Sequence, residues 1–219
     1  MVYKIFNIND MNEELVTRYF SLMTEGKRNK ILNAKDKIRA AQEFAADMLA
    51  RQCLSEFCDA PEFSFNLLIN PGSKSVVSNF DAEISVSVCD EFVGCAVSDM
   101  PVGISLYKFV PFSFAEAQDN LRDSEIRHLF SYSKYSFAEL LNIDKCCEPA
   151  LMQKFSMYKS LKTAQFLASG RGIREKRNNA EFIFSATGVV CSDASYAVVK
   201  SEFSDEYLLA YAIVERCNL

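Results

Sequence analysis

Eight cysteines and a single histidine are the side chains best equipped for chemistry in this chain, and their spacing argues against the obvious uses. The cysteines are Cys53, Cys58, Cys89, Cys95, Cys146, Cys147, Cys191 and Cys217, and the histidine is His128. No two cysteines form a C-x-x-C pair, and His128 stands at no ligand-like spacing from them, so a structural zinc site is not encoded. Cys89 and Cys95 sit inside apolar runs, where a thiol packs as a small hydrophobe. The expectation is reduced core thiols, with incidental oxidation as the alternative. A Cys-His or Ser-His catalytic pair would have to recruit His128, which falls on a helical stretch. Neither a P-loop nor a dinucleotide-binding glycine fingerprint is present.

The elements that must position any site can be read along the chain. With 219 residues, 49% of them hydrophobic and 24% charged, the chain can bury a sizeable core in one domain or two small lobes. A net charge of -5 argues against a general nucleic-acid binder but leaves room for a local basic patch. No stretch approaches the ~20 apolar residues of a membrane helix, and Val2–Phe6 reads as a short strand rather than a signal peptide. The reading is a cytoplasmic protein.

Residues 11–32 read as helix, interrupted at Gly26, with Leu15, Tyr19, Phe20, Leu22 and Met23 as the apolar side. A stronger helix is expected from Ala34 to Cys58, with Ile38, Ala41, Ala45, Met48, Leu49, Gln52 and Cys53 at helical spacing, stopped by Pro61. Strands follow over 63–69, 82–88, 92–97 and 102–107, the middle two forming a hairpin around Cys89-Asp90-Glu91. The second half offers helices over 114–122, 124–141 and 150–169, the last ended by Gly170. Strands close it over 181–186, 189–191, 196–202 and 207–214. Each half runs from helices to strands, and Asp90-Glu91-Phe92-Val93 is echoed by Asp205-Glu206-Tyr207-Leu208. This order fits an α+β class with a duplicated lobe better than an alternating βαβ fold.

Several segments then carry a resemblance. Ser85 to Ala96 lies without gaps on a motif of the form F-N-x-S-H-S, a turn, an aromatic residue and C-A, and Pro101 to Tyr107 continues in register as P-x-G-I-D-x-E. Lys162-Thr163 and Gly170-Arg171-Gly172-Ile173 resemble a W-x-x-K-E-A helix and its closing G-x-G-L. Lys27-Arg28, the helix ending Asp47 to Arg51, and Lys74 after Gly72 resemble basic positions and a G-K-P element. The stretch from Ser124-Glu125-Ile126 to Leu141 resembles F-S-x-x-E-x-x-x-L. In order and spacing these resemble the larger, pseudo-dimeric class of 4'-phosphopantetheinyl transferases, over nearly the whole chain.

The resemblance implies two similar α+β lobes in a pseudo-twofold arrangement, an N-terminal lobe over 1–110 and a C-terminal lobe over 111–219, with coenzyme A in the cleft between them. It implies transfer of the phosphopantetheine arm to a serine of an acyl or peptidyl carrier protein. Lys27, Arg28, Arg51, Lys74 and Lys162 would hold the phosphates of coenzyme A, with Lys162 the candidate catalytic cation. Breaking a pyrophosphate bond builds charge on phosphate oxygens, which the family absorbs with Mg²⁺ held by three carboxylates. Here those positions are Ser105, Tyr107 and Thr163, and the motif histidine is Val88. If the helix register slips by one turn, Lys159-Ser160 takes the place of Lys162-Thr163, and the acid is still missing. The expectation is therefore a diverged homologue with no metal ligands that keeps coenzyme A binding. An active transferase and a non-catalytic partner or scaffold subunit stand as alternatives. A monomer is expected, with neither nucleic acid nor membrane as partner.

Overall fold

The computed structural model describes residues 1–131, 133, 136, 139, 145–170, 180–186, 188–204 and 208–217. Its elements are mixed α and β, and the strands form small antiparallel sheets. In chain order the helices are α1 (Glu13–Phe20), α2 (Glu25–Leu32), α3 (Lys37–Cys58), α4 (Phe114–Asn120), α5 (Asp123–Phe130) and α6 (Pro149–Ala168). The strands are β1 (Val2–Asn7), β2 (Leu67–Leu68), β3 (Val76–Val77), β4 (Glu83–Cys89), β5 (Phe92–Ser98), β6 (Val102–Lys108), β7 (Phe182–Ser185), β8 (Gly188–Cys191), β9 (Tyr196–Ser204) and β10 (Leu209–Arg216).

Two three-stranded sheets organise the molecule, in the orders β1-β5-β4 and β6-β10-β9. In the first, Val86, Val93, Cys95 and Val97 pack against the buried stretch of α3. The opposite face presents Phe92 and Ala96 to Val102, Ile104, Leu106, Leu209 and Ile213 of the second sheet. The far face of that second sheet carries Ala210, Ala212 and Val214 onto α6. The layers thus run α3, sheet, sheet, α6. β5 is buried along its whole length because helix covers one face and sheet the other, which suits its unbroken run of small and apolar residues.

Local chemistry sets the element ends. Asp36 caps α3 by accepting the N–H groups of Ile38 and Arg39, and Asp59 ends it in the left-handed conformation at φ 50°. Pro149 opens α6, where its missing N–H costs nothing, and Gly170 follows the helix at φ 65°. Ser113 and Glu116 form a reciprocal capping box at the start of α4. The tightest crossing is between β6 and α6. A Cβ on Gly103 would lie 1.9 Å from the Ala164 carbonyl oxygen, so only glycine lets the helix backbone approach the strand this closely.

Several expectations are corrected. The helix expected over 11–32 is two helices, because Asn12 and Thr24 each supply an N-cap and a turn at 21–23 separates them. The strand expected over 63–69 reduces to Leu67–Leu68, since Glu62–Ser64 forms a 3-10 turn held by the Ser64 N–H to Pro61 carbonyl bond. Ile38, placed on the apolar stripe of α3, is exposed. The hairpin, the α6 helix and the β9 and β10 strands form within two or three residues of the expected bounds. β6 falls before residue 110 in sequence yet takes its ladder hydrogen bonds from β10, near the far end of the chain. Tyr135, Phe137, Leu140, Leu141, Arg171, Gly172, Ile173 and the Asp205-Glu206-Tyr207 echo lie outside the described residues. No helix among the described residues is long and apolar enough to cross a membrane.

Candidate functional site

Where β4 passes β6, no backbone ladder joins the two strands. Side-chain hydroxyls take its place: the Ile104 N–H donates to Ser85 Oγ and the Leu106 N–H to Ser87 Oγ, both at 3.1 Å and all buried. At one end of this seam a groove of about 120 Å³ opens. Its walls are Ser73 and Lys74 from the turn before β3, Glu83 and Ser85 from β4, Pro101 and Val102 from β6, the last residues of α6 through Gly170, and Arg216 of β10. Lys74 lies 3.9 Å from Glu83, with both side chains open to solvent. Arg216 is fixed by its backbone N–H, which donates to the Pro101 carbonyl at 2.8 Å. The groove thus presents two cations against one carboxylate, beside the hydroxyls of Ser73, Ser85 and Ser169.

The cations selected from sequence do not converge on this groove. Lys74 alone reaches it. Lys27 and Arg51 line a second pocket of about 340 Å³ between α2, α3 and residues 67–70. Lys27 shares Glu43 with Lys30, at 3.3 and 2.8 Å. Glu43 titrates below its ordinary value: burial pushes it up, and the ammonium groups of Lys30 and Lys27 outweigh that. Arg51 is 3% exposed and hydrogen-bonded to Asp47 at 2.8 Å and to the carbonyls of Glu62 and Phe65 at 3.0 and 3.3 Å. Arg28 donates to the Met23 carbonyl at 3.0 Å and ties the turn between α1 and α2.

Lys162 lies in the core of the second half. Its ammonium contacts Glu125 at 2.7 Å and donates to the Ala180 carbonyl at 2.6 Å, while the other oxygen of Glu125 accepts the Phe182 N–H at 2.8 Å. Burial lowers the Lys162 pKa and Glu125 partly restores it. At 2% exposure this lysine staples α5, α6 and β7 together.

The three positions that the resemblance marks for metal ligands, Ser105, Tyr107 and Thr163, sit on or beside the α6-facing side of β6. Ser105 is buried, and its carbonyl accepts a hydrogen bond from Ser160 at 2.6 Å. The ring of Tyr107 lies 5.5 Å beneath the Lys159 ammonium, and Lys159 donates to Asn120 at 2.7 Å. Thr163 stands half-buried one turn along α6 from Ser160. Neutral oxygens and a cation occupy the region where a hard divalent ion needs carboxylates. Among the described residues no group of three histidine, cysteine or acidic side chains could hold a metal.

His128 forms a separate polar cluster. Its Nδ1 lies 2.8 Å from the Tyr158 hydroxyl, and its ring stacks on Phe184. Burial, then Glu125 and Glu181, raise the Tyr158 pKa, so the phenol keeps its proton. Burial and Lys154 lower that of His128. Sequence reasoning passed over Arg216 and Glu83, whose only signal was their place at strand ends, and it ranked Lys159-Ser160 second, although those residues face β6.

Set beside known proteins, the chain stands apart: no protein-family model matches it, and no curated protein matches its sequence.

Proposed function

We propose that this chain is a diverged 4'-phosphopantetheinyl transferase-like protein that binds coenzyme A at the β4–β6 groove and carries out no magnesium-dependent transfer. One observation carries the reading. Residues from four segments that resemble the family, separated widely in sequence, meet at one groove: Lys74 after Gly72, Ser85, Pro101-Val102 and Gly170. The shared order of the two sheets supports the pseudo-twofold part of the reading. In each sheet the earliest strand along the chain (β1, β6) pairs with the latest (β5, β10), which pairs with the remaining one (β4, β9), and one long helix covers the sheet.

Lys74 and Arg216 supply charge for a phosphate, with the hydroxyls of Ser73 and Ser169 beside them. Glu83 offsets one of these charges and favours a ligand with a donor next to its phosphate. With neutral side chains at Ser105, Tyr107 and Thr163, these positions offer no carboxylates to hold the Mg²⁺ that would absorb the charge of pyrophosphate cleavage, so the ligand is held rather than split. Titration calorimetry of coenzyme A in Mg²⁺ and then in EDTA is the test. Equal affinity in both buffers, weakened about tenfold by Lys74→Ala or Arg216→Ala, is the expected result. Absence of heat in both buffers sinks the reading, and magnesium-dependent loading of an apo carrier protein sinks its non-catalytic part.

A further inference from the structure

We infer that two copies of this chain associate through β9, pairing antiparallel about Ser201 to make one continuous six-stranded sheet. The geometry begins with the seam described above. The N–H groups of Ile104 and Leu106 turn away from β10, so Gly103, Ser105 and Tyr107 direct their backbone groups toward it. Antiparallel ladders alternate, and the pairings Ser105–Ala212 and Tyr107–Ala210 leave Tyr211 and Ile213 directed at β9. Their partners Glu202 and Lys200 are thereby satisfied, and Ser201 and Phe203 turn their N–H and C=O groups outward. Among the described residues the one backbone bond to β9 from outside β10 lies at its start, where the Tyr196 N–H donates to the Asp193 carbonyl at 3.0 Å, and none reaches Ser201 or Phe203, although β8 lies close to the strand. The corresponding strand of the other sheet differs, because the Gly72 N–H caps the outer edge of β4 at the Val86 carbonyl.

The sequence of β9 is self-complementary about Ser201. In that register Ser201 opposes its own copy and Lys200 opposes Glu202 of the second chain, while Val199, which a register shift at Ile213 and Val214 leaves without a partner on β10, lies across from Phe203. The residues with outward backbone groups, Ser201 and Phe203, fall at hydrogen-bonded positions. Lys200 and Glu202, an ion pair within one chain, fall at the closer non-hydrogen-bonded positions, where each also meets the opposite charge of the second chain. Val199 and Phe203 are 39% and 45% exposed, and pairing covers both. A lysine on an open edge deters indiscriminate strand addition, and a partner with glutamate two residues on removes that deterrent. The occupant is therefore a second copy, in place of the monomer expected from sequence. A two-fold contact of this kind closes on itself and does not propagate.

Light scattering of the full chain over a dilution series should show a dimer. Lys200→Glu and Glu202→Lys each place like charges opposite one another twice by symmetry, and each should weaken the dimer about tenfold. The double variant Lys200→Glu/Glu202→Lys should restore it. Ser201→Cys should give a disulfide-linked dimer on a non-reducing gel, since directly opposed residues bring Cα atoms within bridging range, and Ser204→Cys should not. Thermal unfolding confirms that each variant is folded. A wild-type chain that stays monomeric at every concentration overturns the inference. So does a double variant no better than the singles, or a Ser204→Cys chain that cross-links as readily as Ser201→Cys.

Discussion

The hydroxyl oxygen of Ser87 accepts the N–H of Leu106 at 3.1 Å, a side chain of one sheet closing the open edge of the other. Ser85 does the same for Ile104, so two hydroxyls stand in for a backbone ladder that the crossing of the two sheets cannot form. A buried donor stripped of its acceptor keeps its full desolvation cost. Ser87→Ala should therefore cost about 1–3 kcal/mol, read as a lower urea midpoint with an unchanged slope. Ser87→Thr, which keeps the acceptor, should lose less.

Gly103 is the most intolerant position at the β6–α6 crossing. Alanine there would drive a methyl group to 1.9 Å from the Ala164 carbonyl oxygen and 2.7 Å from the Ala168 nitrogen, and both obstacles are backbone. Either the helix shifts off β6 or the strand slides. Overpacking of this kind costs about 1–3 kcal/mol or more. Thermal unfolding of Gly103→Ala should show a larger loss than Gly94→Ala, whose nearest neighbours are the movable ends of Ile104 and Leu106.

Lys162 and Glu125 should behave as a unit. Removing the ammonium with Lys162→Met leaves a buried carboxylate and should cost about 3–5 kcal/mol. Adding Glu125→Gln removes the stranded charge while keeping an acceptor for the Phe182 N–H, so the double variant should be more stable than Lys162→Met alone. Equal stability of the single and double variants would show that the pair is not coupled.

His128 gives a pH signature that one NMR resonance can follow, because the chain has no other histidine. Its pKa in the folded chain lies below the ordinary value, through burial and the nearby Lys154. Between the ordinary value of about 6.5 and the folded value, the unfolded chain binds more proton, so stability falls as pH drops through that window. The imidazole should titrate below 6.5, and His128→Phe should flatten the stability profile there. A midpoint at or above 6.5 would contradict the lowering by burial and Lys154.

How much was legible follows from what each feature depends on. The hairpin at Cys89-Asp90-Glu91 and the end of α6 at Gly170 rest on local chemistry, a turn and a left-handed residue at φ 65°, and both could be read directly. The split of residues 11–32 rests on capping by Thr24, a hydroxyl that also fits a helix interior. The candidate site was only partly legible. Arg51 and Lys162 are cations at plausible positions, but their partners Glu62, Phe65, Glu125 and Ala180 come from distant elements, and only the fold shows that their charge is already spent. Arg216 went unnoticed because nothing in its neighbours marks the groove that Lys74 and Glu83 share with it.

The ladder between β6 and β10 sets a timetable for the nascent chain. The first sheet is complete in sequence once β5 has left the ribosome, and β6 emerges immediately after it. The ladder partner of Val102 is Glu215, about 110 residues later, which is roughly 5–20 s of synthesis. Through that interval Gly103 and its neighbours have no strand beside them, and only the seryl hydroxyls of β4 can shelter the open edge. Premature termination anywhere before Leu209 would leave β6 in that state permanently, with a finished first half and an unpaired strand exposed to quality control.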